Sequence, residues 1–290
     1  MKFAMIRYLG RQGIALEDAG KLRCLFEGEA SFPGSIADLI KGDAGFGNAA
    51  TALQDGRSLN PNEVEFLPPI QTPSKVICAG LNYLDHAKEV KLPVPELPTL
   101  FGRFPSSLIG HDAALVRPHV SEQFDYESEL AVVIGKSGRY INKETALDHV
   151  AGYSIFNDAT LRDYQFQTSQ WMLGKNFDGT GAFGPFFVPA DDLPAGCRGL
   201  RITGRLNGQT VQDSNINQLI FDVATLIERV SEGMTLQPGD VILTGTPAGV
   251  GMSRMPTLFM KPGDVIEVEI EQIGILRNTI IAEPLQAESN

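Results

Sequence analysis

Asp125-Tyr126-Glu127-Ser128-Glu129-Leu130-Ala131-Val132-Val133-Ile134-Gly135 is the stretch on which the fold turns. Leu130 to Ile134 is apolar and partly β-branched, which suits a strand buried on both faces. The carboxylates ahead of it stand at alternate positions. Residues i and i+2 leave a strand on the same side, so the spacing predicts that Asp125, Glu127 and Glu129 point one way. Carboxylates that close repel one another unless positive charge lies between them. A hard divalent cation such as Mg²⁺ or Mn²⁺, which takes oxygen ligands, meets that need. A charged edge strand facing water would carry the same residues.

On either side of this stretch the chain is punctuated by Gly and Pro. Strand-like runs recur at Phe3–Tyr8, from Ala15, at Lys75–Gly80, Phe186–Pro189, Leu200–Leu206, Val241–Thr244 and Val265–Ile270. Two of them follow Pro-Gly-Asp turns, at 238–240 and 262–264. Helical patterns are fewer: around Ile36–Ile40, from Asn142 to Val150, and Asp222–Glu232 before Gly233. The mix predicts an α+β chain that is mainly β. The Pro-rich run Leu67–Pro73 reads as a linker. It separates a small, loop-rich N-terminal domain, 1–70, from a catalytic domain, 71–290.

Composition narrows the function. With 43% hydrophobic residues, 290 residues can build a large core. No apolar run reaches the roughly 20 residues of a spanning helix. Three widely spaced cysteines suggest a reducing cytoplasm, not a disulfide framework. A net charge of −11 without a basic cluster argues against nucleic acid.

Candidate chemistry lies in four further segments. His86 and Glu89 are three apart, hence neighbours on a helix face. A carboxylate beside an imidazole makes a general base, although an ordinary surface turn has the same spacing. Asp158 ends a strand-like run and could add an oxygen ligand to Glu127 and Glu129, or cap a helix. Arg162 and Gln165 share a spacing that lets both reach one ligand. Lys175 lies among glycines and aromatics, beside a pocket or in a solvated loop. Thr246 sits in a small-residue loop after a strand, where hydroxyl and backbone N–H can approach an anion. The Pro-rich 92–98 run after His86 could serve as a lid.

These pieces together resemble the fumarylacetoacetate hydrolase family. The carrying motifs are Gly80-Leu81-Asn82-Tyr83, His86-Ala87 with Glu89, Asp125 to Ala131, Asn157-Asp158, Arg162-Asp163 with Gln165, Gly174 to Asp178, and Gly239 to Gly251. They occur in the family's order across roughly residues 75–280. The resemblance implies a β-roll catalytic domain with inserted helices, behind a small N-terminal α+β domain, in a homodimer. It implies Mg²⁺ or Mn²⁺ on Glu127, Glu129 and Asp158. His86, Glu89 and Lys175 match the catalytic positions, and Arg162, Gln165 and Thr246 match positions around a bound acid. Where the family often has Phe-x-Lys, this chain has Phe101-Gly102-Arg103. Arg103 keeps the charge but not the geometry, and is expected at the distal end of the substrate.

The expected reaction is metal-dependent hydrolysis of the C3–C4 bond of a 2,4-dioxo acid to pyruvate or a related 2-oxo acid, with His86 activating water. Oxaloacetate decarboxylation and keto–enol isomerisation use the same equipment. A non-catalytic metabolite binder would have no use for the His86–Glu89 pair. Fumarylpyruvate, acylpyruvates, dioxo sugar acids and oxaloacetate share the chelating head, so the sequence leaves the substrate open.

Overall fold

The computed structural model describes residues 1–42, 45–89 and 93–284. Its backbone is a large mixed sheet in which the strands run, in spatial order, Arg57–Leu59, Lys21–Phe26, Arg11–Asp18, Phe3–Tyr8, Gly181–Pro189, Val150–Asp158, Ser128–Ile134, Val241–Leu243, Val76–Gly80 and Thr99–Arg103. The N-terminal meander joins the larger β-rich part where Phe3 pairs with Phe187. A second sheet of five strands contains Gln209–Asn215, Arg201–Leu206, Val265–Ile270, Gly274–Ala282 and Leu115–Arg117.

The strand Ser128–Ile134 is buried throughout and divides its side chains by parity. Leu130, Val132 and Ile134 enter a core with Ile202, Val268 and Ile270 of the second sheet and with Leu226 and Ile227 of the helix Val223–Gly233. Ala131 and Val133 enter another core with Phe3, Phe187 and the helix Gly45–Gln54. The architecture is therefore mainly β with inserted helices, as the sequence predicts.

The N-terminal segment differs from its expected loop-rich character. Residues 3–26 form a three-stranded meander, and Gly45–Gln54 is a helix. Its two glycines disfavour helix in isolation, but burial of Ala49, Ala50 and Leu53 against the sheet overrides that preference. The 142–150 segment is a 3₁₀ helix, Lys143–His149. In the 92–98 lid candidate, residue 92 lies outside the described residues. Among the described residues, no helix is long and apolar enough to cross a membrane, and all three cysteines are free and buried.

Candidate active site

Antiparallel pairing of Ser128 with Asn157 and of Glu129 with Phe156 sets the site. Just beyond that ladder the Asp158 amide donates to the Glu127 carbonyl, and the Asn157 side chain accepts from the Glu127 amide. This register converges Glu127, Glu129 and Asp158. Each offers a carboxylate oxygen, and the three oxygens lie within 4.8 Å of one another, all buried. The trio could hold a metal.

Asp125 does not join them. The strand is interrupted at Tyr126 and Glu127, so the i, i+2 alternation does not extend back to it. Its carboxylate instead accepts from the amides of Gly251 and Met252 and from Arg162 Nε at 2.8 Å.

Three cations answer these carboxylates. Lys175 Nζ lies 2.7 Å from Glu127 Oε2 and 2.5 Å from Asp158 Oδ2. Arg162 Nη1 lies 2.6 Å from Glu127 Oε1. Arg103 Nη1 lies 2.6 Å from Asp158 Oδ1, and its Nη2 donates to Thr180. Burial pushes the Glu127 carboxyl up, but Lys175 and Arg162 outweigh it and hold its pKa at about 2. Glu129 has no cation in contact among the described residues, only the Gly245 amide at 2.8 Å. Burial first, then repulsion from Asp158 and Glu127, pushes its pKa well up. Gly245 can present that amide because it adopts φ +95° while packed against Ala79 and Asn82.

The donor set fits a hard divalent ion. Four carboxylates, counting Asp125, face three fixed cations, and the carboxylate left without a cation is one of the trio. Glu129 is therefore balanced by a proton in the metal-free site, and a divalent ion joining the trio would take that proton's place and present positive charge to an anionic ligand.

A cavity of about 210 Å³ opens on this cluster. His86, Arg162, Gln165, Lys175 and Thr246 line its polar side; Leu81, Phe101, Phe166, Trp171 and Met252 line its apolar side. His86 Nδ1 lies 3.0 Å from Glu89 Oε2, within the helix Leu84–Glu89, and Glu89 Oε1 accepts from the Gly249 amide. Nε2 has no partner among the described residues. Arg162 Nη2 is buried without a partner, and Gln165 Oε1 accepts from Arg162 Nη1. The backbone of Gly174 packs on that of Gln165, which lets the short helix Met172–Lys175 bring its ammonium in.

Arg103 is placed otherwise than its expected contact with the distal end of the substrate. Its side chain is fully buried behind Asp158, over the Phe156 ring, and is not part of the cavity wall. Its guanidinium fits that niche because a buried carboxylate and a hydroxyl take two of its donors. Two residues that local sequence patterns missed also support the site: Asp85, which accepts from the His86 and Ala248 amides, and Gln212, which donates to Thr246. Nothing in their local sequence marks them.

Comparison with known proteins agrees with this architecture. The family model described as fumarylacetoacetate (FAA) hydrolase, C-terminal, matches residues 75–281. Oxaloacetate tautomerase fahd2, mitochondrial, of Xenopus laevis is 40% identical over 275 residues, 93% of this chain and 86% of that protein. Human oxaloacetate tautomerase FAHD2A, mitochondrial, is 44% identical over 246 residues, 84% and 78% of the two chains. The solved fumarylacetoacetate hydrolase from psychrophilic Exiguobacterium antarcticum superposes with a TM-score of 0.83 at 37% identity, covering 98% of this chain and 100% of that one. The 5-carboxymethyl-2-hydroxymuconate delta-isomerase from Mycobacterium smegmatis gives 0.78 at 31% identity, with 98% and 100% covered. The chain belongs to the fumarylacetoacetate hydrolase family.

Proposed function

We propose that this chain interconverts the keto and enol forms of a small 2-oxo acid, with oxaloacetate the first substrate to test. The supporting observation is the cavity-facing His86, its Nδ1 held by Glu89 and its Nε2 free beside the carboxylate cluster. Tautomerisation needs one group that takes a proton from C3 and returns one to the 2-oxo oxygen. An imidazole held at Nδ1 by a carboxylate offers its Nε2 for both steps.

Glu127, Glu129 and Asp158 would hold Mg²⁺ or Mn²⁺, which supplies Lewis-acid stabilisation of negative charge on an oxygen. The chain's own residues do the rest. Arg162 Nη2 and the Thr246 hydroxyl are donors available to the acid's carboxylate. Lys175 pairs with Glu127 and Asp158 and holds them adjacent. The apolar wall from Phe101 to Trp171 excludes water from the reacting carbons. Relatives named oxaloacetate tautomerase and delta-isomerase support this choice over hydrolysis.

Hydrolysis of a 2,4-dioxo acid is the second reading, favoured by one observation. Glu89 is anchored to the Gly249 amide as well as to His86, a rigidity that suits deprotonation of water. The test is incubation with enol oxaloacetate and with acylpyruvates, with and without EDTA. EDTA-sensitive acceleration of enol decay supports tautomerisation. Loss of the diketone band with release of pyruvate replaces it with hydrolysis, and carbon dioxide release replaces it with decarboxylation. Failure of every arm leaves a binder.

We further propose a homodimer, supported by the exposed apolar side chains of Phe166, Met172 and Leu173 beside the cavity; light scattering at a monomer's mass rejects it. Three reduced, buried thiols support a reducing compartment such as the cytoplasm, checked by imaging the tagged chain.

A further inference from the structure

Gln212 lies on the second sheet, in the strand Gln209–Asn215, yet its side chain reaches the site. It is almost wholly buried, at 1% exposure. Its Oε1 accepts the backbone N–H of Ser128, between Glu127 and Glu129, at 3.0 Å. A backbone N–H can only donate, so the amide has one orientation: oxygen toward Ser128, nitrogen away. Nε2 then donates to the Pro247 carbonyl and to Thr246 Oγ1, both at 2.8 Å. The Thr246 oxygen is thus an acceptor toward Gln212, and its own proton must turn elsewhere. Among the described residues that proton has no protein acceptor, and Thr246 lines the cavity.

We propose that Gln212 is a positioning residue that obliges the Thr246 hydroxyl to donate to the carboxylate of the bound acid. This rests on the 2-oxo acid reading above. A free hydroxyl can rotate, donating in other directions or accepting from a neutral ligand. A hydroxyl already holding the Gln212 N–H is biased to present hydrogen, which suits a ligand group that carries acceptors only. The same amide ties the strand of the metal-binding carboxylates to the Thr246 loop, so the two halves of the site keep one spacing.

The test is a mutant cycle read by calorimetric titration of oxalate, an unreactive mimic of the 2-oxo acid head, with Mg²⁺ present. In the otherwise native protein, Thr246→Val is expected to weaken oxalate about tenfold, the loss of one hydrogen bond to a charged acceptor. In the Gln212→Met background the same substitution should change affinity by less than about twofold, because the hydroxyl, no longer held as an acceptor by Gln212 Nε2, is not committed to donating to the ligand. A purely structural Gln212 would leave the cost of Thr246→Val the same in both backgrounds, and that result overturns the proposal. Should Gln212→Met fail to fold, Gln212→Glu serves. It keeps the acceptor for Ser128 but offers Thr246 an oxygen, so Thr246→Val should again cost less than about twofold. Full cost in that background overturns the proposal as well. Wild-type protein that binds no oxalate sinks the functional reading and the proposal with it, an outcome distinct from oxalate binding with no coupling.

Discussion

The Asp158 amide donates to the Glu127 carbonyl at 2.9 Å, and this one backbone bond brings their carboxylates to the same ammonium, Lys175 Nζ, at 2.5 and 2.7 Å. The three groups are buried, so removing the cation leaves each carboxylate with one arginine, Arg162 on Glu127 and Arg103 on Asp158, and brings the two negative charges together with nothing between them in a poorly solvated place. Burial alone would lower the Lys175 pKa, but Asp158 and Glu127 raise it, so it stays charged. Lys175→Met is therefore expected to destabilise the metal-free protein by about 3–5 kcal/mol. Saturating Mg²⁺ should return part of that loss. Thermal unfolding with and without Mg²⁺ checks it, and an unshifted Tm refutes the pairing.

Glu129 carries the opposite sign. Its folded pKa is raised above the ordinary 4.5, so the folded protein binds a proton that the unfolded chain has released. Stability of the metal-free protein from this group should decline as pH rises from about 4.5 toward the folded pKa. Glu129→Gln removes that decline and raises metal-free stability near neutral pH, while weakening Mg²⁺ binding. Glu127 acts oppositely: held at about 2, it contributes stability above pH 4.5 that is lost on acidification toward 2. Urea titrations across pH with EDTA read both slopes. Parallel pH profiles for wild type and Glu129→Gln would contradict the burial and repulsion assigned to Glu129.

What the sequence disclosed depended on how local the cause was. Glu129 was legible because it lies in the strand that begins at Ser128, and Glu127 because it stands just ahead of that strand, still bonded to Asn157 and Asp158; His86 with Glu89 was legible because i, i+3 is a property of one helical turn. Asp125 was misplaced because the strand breaks at Tyr126, a break set by its pairing with Thr160 in a separate ribbon. Arg103 was misplaced because its partner, Asp158, lies 55 residues away. Gln212 was invisible for the same reason: its contacts, Ser128, Thr246 and Pro247, are joined only by packing of the two sheets.

His86→Ala should separate binding from chemistry. Among the described residues the imidazole is bonded to Glu89 and to none of the three carboxylates proposed to hold the metal, so Mg²⁺ affinity by calorimetry should stay within about twofold. Turnover should fall about a hundredfold to ten-thousandfold, the usual contribution of a positioned acid–base group. Glu89→Gln should give a smaller fall, because the Gly249 amide still anchors the side chain while the imidazolium loses its counter-charge. Wild-type turnover in His86→Ala would remove the imidazole from the mechanism.

The apolar wall depends on a glycine. A Cβ at Gly80 would stand 2.2 Å from Trp171 Cζ3, so the indole sits where only a bare backbone allows it. Trp171 in turn meets Phe101 edge-on, with centroids 5.5 Å apart, and Phe101 lies 5.2 Å from the Lys175 ammonium. Gly80→Ala must therefore push the indole across the cavity or shift its own strand, at a cost of about 1–3 kcal/mol. The φ of Gly80 lies outside the left-handed region, so this cost comes from contact and not from backbone strain. It should shrink when Trp171 is also cut to Ala, since the clashing atoms are gone. KM for the proposed 2-oxo acid should rise in Gly80→Ala while Mg²⁺ affinity holds, because the clash falls on the Trp171 indole and not on Glu127, Glu129 or Asp158. Equal destabilisation by Gly80→Ala with and without Trp171 would show that the indole does not set the wall.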